Sequence, residues 1–128
     1  MADIELCGMR DVLLAFARVH ILHHAGEEPI FGLGMMEELY RHGYRLGAGT
    51  MYPLLHRLQE DGLLSVQTET VSGKRRKYYT ITRKGRVALE GIKPKLAELA
   101  GEVLPSGSPV HDKPSRRGTR RGRAGPGT

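Results

Sequence analysis

At 128 residues the chain has room for one domain and a tail, and its 39% apolar content, with two Phe and no Trp, supports a modest aliphatic core. No apolar run approaches the ~20 residues of a membrane span. Met1-Ala2-Asp3-Ile4-Glu5 lacks the basic start of a secretory signal, and the single Cys7 cannot close an internal disulfide. A membrane protein and a disulfide-stapled secreted scaffold are excluded on these grounds, and a reducing cytoplasm is the expected compartment.

The net charge of +6 is unevenly placed. Residues 1–104 carry 14 Lys/Arg against 13 Asp/Glu, whereas residues 105–128 carry 6 against 1. Within the nearly neutral body, residues 74–86 hold seven cations (Lys74, Arg75, Arg76, Lys77, Arg83, Lys84, Arg86) and no acid. One dense cationic patch on a neutral body points to a directed contact with a polyanion.

In chain order, residues 9–25 read as a first helix. Met9, Val12, Leu13, Phe16, Val19/His20 and His23 recur at three-and-four spacing, and Leu14, Ile21 and Leu22 widen that face. Gly26-Glu27-Glu28-Pro29 stops it. A second helix is expected from about Gly32 to Arg41, with Leu33, Met36 and Tyr40 on one side, Leu39 close by, and Gly43 after its end. A third starts near Gly49, its buried stripe Met51, Leu54, Leu55 and Leu58, and Gly62 closes it.

Leu64-Ser65-Val66-Gln67 alternates as a half-solvated strand does, Ser72-Gly73 marks a hairpin turn, and Tyr79 and Ile81 share one face of the return strand. Thr82 suits the N-cap of a last helix. There Leu89, Ile92, Leu96, Leu99 and Val103 repeat by three and four, a coiled-coil-like seam. Pro94 removes a backbone donor, so a kink or restart is expected at Gly91–Pro94. From Pro105 the chain is Gly, Pro, Ser and Arg with one large apolar residue, which predicts disorder. The fold class is α+β, mainly helical: a winged helix–turn–helix with a C-terminal helix.

With the stripe of the third helix buried, Pro53 and His56 fall opposite it, and Tyr52 and Arg57 on its flanks. A recognition helix meets DNA at its N-terminal end, where the helix dipole also favours phosphate. Thr50 and Tyr52 hydroxyls suit phosphate oxygens, Arg57 a phosphate or guanine edge, and His56 a base edge. The run Lys74-Arg75-Arg76-Lys77 after the turn crowds like charges that a phosphate backbone would relieve. Arg116–Arg123 of the tail is either a sequence-independent nucleic-acid contact or a solvated end.

Gly49-Thr50-Met51-Tyr52-Pro53-Leu54-Leu55-His56-Arg57-Leu58, Gly62-Leu63-Leu64, and Arg76-Lys77-Tyr78-Tyr79 with Thr82 and Gly85 resemble the signature of PadR-type transcriptional regulators. His20–Ala25 with Pro29-Ile30-Phe31-Gly32 belongs to the same likeness, which covers about residues 15–90. The resemblance implies a bacterial homodimer on pseudo-palindromic double-stranded operators, usually a repressor. It further implies dimerisation through the first and last helices, here Val12, Phe16, Leu89, Ile92, Leu96, Leu99 and Val103, and a small hydrophobic effector near the dimer interface. Where the family usually has Ser-Pro before the recognition helix, this chain has Gly47-Ala48, a weaker start.

The expected organisation is a DNA-binding domain over 1–82, a dimerisation helix over 83–104 and a disordered basic tail over 105–128. His20, His23 and His24 place imidazoles one helical turn apart, but no Cys or carboxylate in the pattern completes a metal set. Packed or interface histidines are expected, with no metal or cofactor. The alternatives are a metal-responsive regulator using His20, His23 and His24, or a winged helix that binds an acidic protein. No nucleophile–base pair, carboxylate dyad or phosphate loop supports an enzyme.

Overall fold

The structure, a computed structural model, describes residues 8–105. Cys7 and the tail beyond residue 105 lie outside the described residues. The elements follow the expected order: α1 Arg10–Glu27, α2 Gly32–Arg41, α3 Ala48–Glu60, β1 Leu64–Val71, β2 Lys74–Ile81 and α4 Arg83–Val103. This is the mainly helical winged helix–turn–helix that the periodicities predict. The described residues divide after Glu90 into two units. No helix among the described residues is long and apolar enough to cross a membrane.

In the first unit, one aliphatic core is assembled from every element. Ala17 and Ile21 of α1, Leu39 of α2, and Met51, Leu55 and Leu58 of α3 are fully enclosed. Leu64, Tyr79, Ile81 and Leu89 close the core from the sheet and the start of α4.

Two faces differ from expectation. On α1 the buried residues are Ala17, Ile21, Leu22 and Ala25, while Met9 and Phe16 are exposed and Val12 and Leu13 half-buried. On α2 they are Gly32, Met35 and Leu39, while Leu33 and Tyr40 are more than half exposed. Both helices carry apolar residues on more than one side, so spacing alone leaves the choice of face open. Ala17 and Ala25 are enclosed with the larger side chains, and a count of large apolar residues overlooks them.

The hairpin is longer than the alternation suggested. β1 continues through Thr68–Val71, pairing antiparallel with β2 from Leu64↔Ile81 to Val71↔Lys74. Ser72 and Gly73 both adopt positive φ (52° and 79°), the handedness that a two-residue turn needs to match the strand twist. Ile30, between α1 and α2, adds a bridge to the other edge of β2: its N–H donates to the Tyr79 carbonyl at 2.9 Å and its carbonyl accepts from the Tyr79 N–H at 2.7 Å.

Thr82 caps α4 as expected: its hydroxyl accepts from the Gly85 N–H at 2.9 Å and donates to the Gly62 carbonyl at 2.6 Å. Pro94 lies inside an unbroken α4, so the predicted restart does not occur and the helix forgoes one backbone bond instead.

Gly85 is packed so closely against the Leu63 carbonyl that a Cβ there would collide with backbone, whereas a Cβ on Gly49 in α3 meets nothing within 4 Å. Gly85→Ala should therefore destabilise the domain by about 1–3 kcal/mol through overpacking. Gly49→Ala should stabilise it by roughly 0.5–1 kcal/mol through lost chain entropy. Urea unfolding of the two variants reads opposite signs if the packing is as described.

Candidate nucleic-acid interface

Full burial of Met51, Leu55 and Leu58, with Leu54 half-buried, turns the opposite side of α3 to solvent. Tyr52, Pro53, His56 and Arg57 are exposed there, and Thr50 is half-buried at the first turn. Gly47 caps the helix in extended conformation (φ −86°, ψ 179°) with no side-chain bond. Its carbonyl accepts from the Thr50 and Met51 N–H groups at 3.0 and 2.8 Å. The N–H groups of Ala48 and Gly49 have no intrahelical acceptor, and the helix dipole adds positive potential at this end.

Arg10, at the start of α1, donates through Nη2 to Thr50 Oγ1 at 3.2 Å. A cationic side chain thereby joins the start of α3, and the threonine hydroxyl keeps its proton for an outside acceptor. Arg10 was not among the residues expected to bind DNA. It lies 40 positions from its partner, beyond the reach of any local pattern.

Tyr52 has two roles. Its ring covers Gly32 so closely that any Cβ at position 32 would strike it, yet the side chain is still 46% exposed. It also neighbours Tyr79, whose phenol is pushed above its ordinary pKa by burial first and by Tyr52 second. The tyrosine thus locks α3 against the start of α2 while presenting its edge outward.

Lys74, Arg75 and Lys77 of the hairpin are exposed and Arg76 is half-buried. The Arg76 guanidinium lies over the Phe31 ring at 4.3 Å, and Phe31 meets Tyr78 edge-to-face at 5.7 Å. This stack ties the wing to the segment before α2, worth about 0.5–1 kcal/mol at an exposed site. Arg76 is accordingly a fixed cation, whereas its neighbours are free to follow a backbone.

Acidic groups gather at the other end of α3. His56 Nε2 lies 3.2 Å from Glu60 and Arg57 Nε 4.0 Å from Asp61, which Arg18 also approaches at 3.8 Å. Exposed pairs of this kind contribute little stability, so His56 and Arg57 can exchange partners readily. The unbalanced positive potential is left at the first turn of α3 and along the wing.

Among the residues expected at a dimer interface, Leu89 is buried in the core of the first unit. Phe16 is 39% exposed and Val12 half-buried on α1. In the second unit Ile92, Leu96, Leu99 and Val103 are all exposed, a continuous apolar face on α4.

The histidines are differently disposed than their spacing on α1 suggested. His20 and His24 are half-buried and His23 is exposed, 3.4 Å from Glu27. The carboxylate missing from the local pattern is supplied by the fold: α2 brings Glu38 and, just past its end, His42 to His20 and His24. Burial, then the imidazoles of His42, His24 and His23, hold His20 below the usual histidine pKa.

Known proteins share this architecture. Residues 21–91 match the model of the Transcriptional regulator PadR-like family. The chain is 48% identical over 96 residues to Transcriptional regulator Rv3488 of Mycobacterium tuberculosis, an alignment covering 75% of this chain and 90% of that protein. A PadR-like transcriptional regulator from Bacillus cereus superposes with a TM-score of 0.64 at 32% identity, covering 74% of this chain and 90% of that one. A PadR family regulator from Eggerthella lenta gives 0.64 at 28% identity, covering 80% and 94%. The arrangement of helices and wing and these likenesses agree: the chain belongs to the PadR-like family of transcriptional regulators and is not an enzyme.

Proposed function

We propose that the chain acts as a homodimer that binds a pseudo-palindromic operator and represses transcription until a small hydrophobic effector enters at the dimer interface. The observation that carries the DNA contact is the pairing of an exposed, uncapped α3 start with a wing bearing Lys74, Arg75, Arg76 and Lys77. In this reading Thr50, Tyr52 and Arg10 hold phosphate beside the first turn of α3. His56 and Arg57 reach base edges, and the wing cations follow the adjoining backbone.

Apolar surface supports dimerisation. Ile92, Leu96, Leu99 and Val103 leave one face of α4 exposed to water, and Phe16 does the same on α1. Leu89 then serves as the core anchor of α4, and the contact between copies falls to the residues after it. An effector works only by binding one dimer geometry better than the other, so the interface that sets the spacing of the two α3 helices is where it acts most directly. Of the segments proposed from sequence, 1–82, 83–104 and 105–128, the second thus divides its work, its start through Leu89 serving the core and the remainder serving the contact between copies.

Binding of the full chain to its own upstream DNA, followed by fluorescence anisotropy against random DNA across a salt series, tests the contact. Arg75→Ala should weaken both DNAs alike and flatten the salt slope by about one unit, as loss of one phosphate contact does. A loss confined to one operator base would make Arg75 a base reader instead. No binding at low salt would favour an acidic protein partner for the same surface.

Leu96→Glu should convert the dimer to monomer in sedimentation and weaken binding to the whole operator by about 100-fold or more, since the two half-sites no longer act together. Retention of a dimer in that variant would move the interface elsewhere.

A further inference from the structure

We propose that His20, His24, His42 and Glu38 form a site for one divalent transition-metal ion of the zinc type, joining α1 to the end of α2. The proposal goes beyond the DNA-binding reading and stands on its own geometry. One ligand atom from each of His20, His24 and His42 lies within 4.8 Å of those of the other two. Glu38 Oε2 is 3.1 Å from His42 Nε2 and 3.6 Å from His24 Nε2. Ligand atoms about 2.0–2.1 Å from a tetrahedral zinc ion sit roughly 3.3–3.4 Å from one another. His42 and His24 thus each stand near that spacing from the carboxylate, and rotamer changes within the 4.8 Å cluster of His20, His24 and His42 would bring the four donors onto one ion.

The surroundings also suit a metal. Arg41 Nη2 donates to the outer oxygen of Glu38, Oε1, at 2.6 Å, which orients the carboxylate and leaves Oε2 facing the imidazoles. Such outer-shell bonds are the usual means of fixing a ligand. Tyr44 packs edge-on to His20 at 5.3 Å, and His20 stacks on His42 at 4.7 Å, so the rings are held from the sides. His42 and Glu38 remain accessible, with side chains 42% and 29% exposed, which provides an entry path.

Three neutral imidazoles and one carboxylate are borderline donors. They favour Zn2+, Co2+, Ni2+ or Cu2+ over the oxygen-seeking Mg2+ and Ca2+. A second grouping, His23, His24 and Glu27, shares His24 but comes wholly from α1 and is mostly exposed. It lacks any residue from a second element and is the competing assignment that the variants below separate.

The test uses the full chain without a histidine tag, stripped by a chelator and dialysed at neutral pH. Co2+ is titrated by visible absorption and Zn2+ by calorimetry. One ion per chain, a tetrahedral Co2+ spectrum, displacement by Zn2+ and a raised melting temperature are expected. Glu38→Gln and His42→Ala, both at accessible positions, should each weaken binding at least ~10-fold. Circular dichroism of the metal-free variants verifies that they fold. His23→Ala and Glu27→Gln should leave affinity unchanged. Absence of stoichiometric uptake overturns the site, as does loss of binding on His23→Ala with retention on His42→Ala. Because no DNA is present, failure here leaves the operator reading untouched, and failure to bind DNA leaves the metal site standing.

Discussion

Burial of the aliphatic stripe of α3 is the constraint on which the rest depends. Met51, Leu55 and Leu58 are wholly enclosed, in one core with Ile21, Leu39 and Leu64. Each such side chain contributes about 1.5–3 kcal/mol when taken from water, more than the roughly 0–1 kcal/mol typical of an exposed ion pair. Rotating α3 about its axis would forfeit several of these contacts at once. Tyr52, Pro53, His56 and Arg57 are therefore turned outward by what lies beneath them rather than by any attraction of their own.

The wing depends on a different balance. Lys74, Arg75, Arg76 and Lys77 repel one another, and within the ladder only Glu69, opposite Arg76, offsets that. Two features hold the ribbon in spite of it: the left-handed pair Ser72 and Gly73 at the turn, and the seat of Arg76 on Phe31. Tyr79 and Ile81 then bury the base of β2, and Ile30 pairs with its free edge. The result is a ribbon rigid at its root and strongly charged toward its tip, which suits backbone contact more than base reading.

The legible parts of the sequence were those set by short-range pattern. The stripe of α3, the Ser72-Gly73 turn and the Thr82 cap each depend on residues within a turn or two, and each stands where expected. The inner faces of α1 and α2 were not legible, because Phe16, Leu33 and Tyr40 are as apolar as the residues that are buried. Tertiary packing decides between two apolar faces, and a single helix does not encode that decision. Contacts across the chain were hidden for the same reason. Arg10 meets Thr50, Arg76 meets Phe31, and Glu38 with His42 meets His20 and His24 only after α1 and α2 pack.

The weak start of α3 shows how such long-range contacts repair a local deficit. Gly47 gives no side-chain acceptor, and a Ser, Thr, Asp or Asn in its place would add only about a few tenths of a kcal/mol to the helix start. The structure instead anchors the first turn from outside, through Arg10 on Thr50 and through Tyr52 wedged over Gly32. A side-chain cap would occupy one of the first-turn N–H groups that a phosphate needs. With Gly47 the backbone donors stay available, and their positive field is reinforced by the Arg10 guanidinium. The missing cap thus shifts stabilisation of α3 from its own terminus to α1 and α2, and leaves that terminus open to an anionic partner.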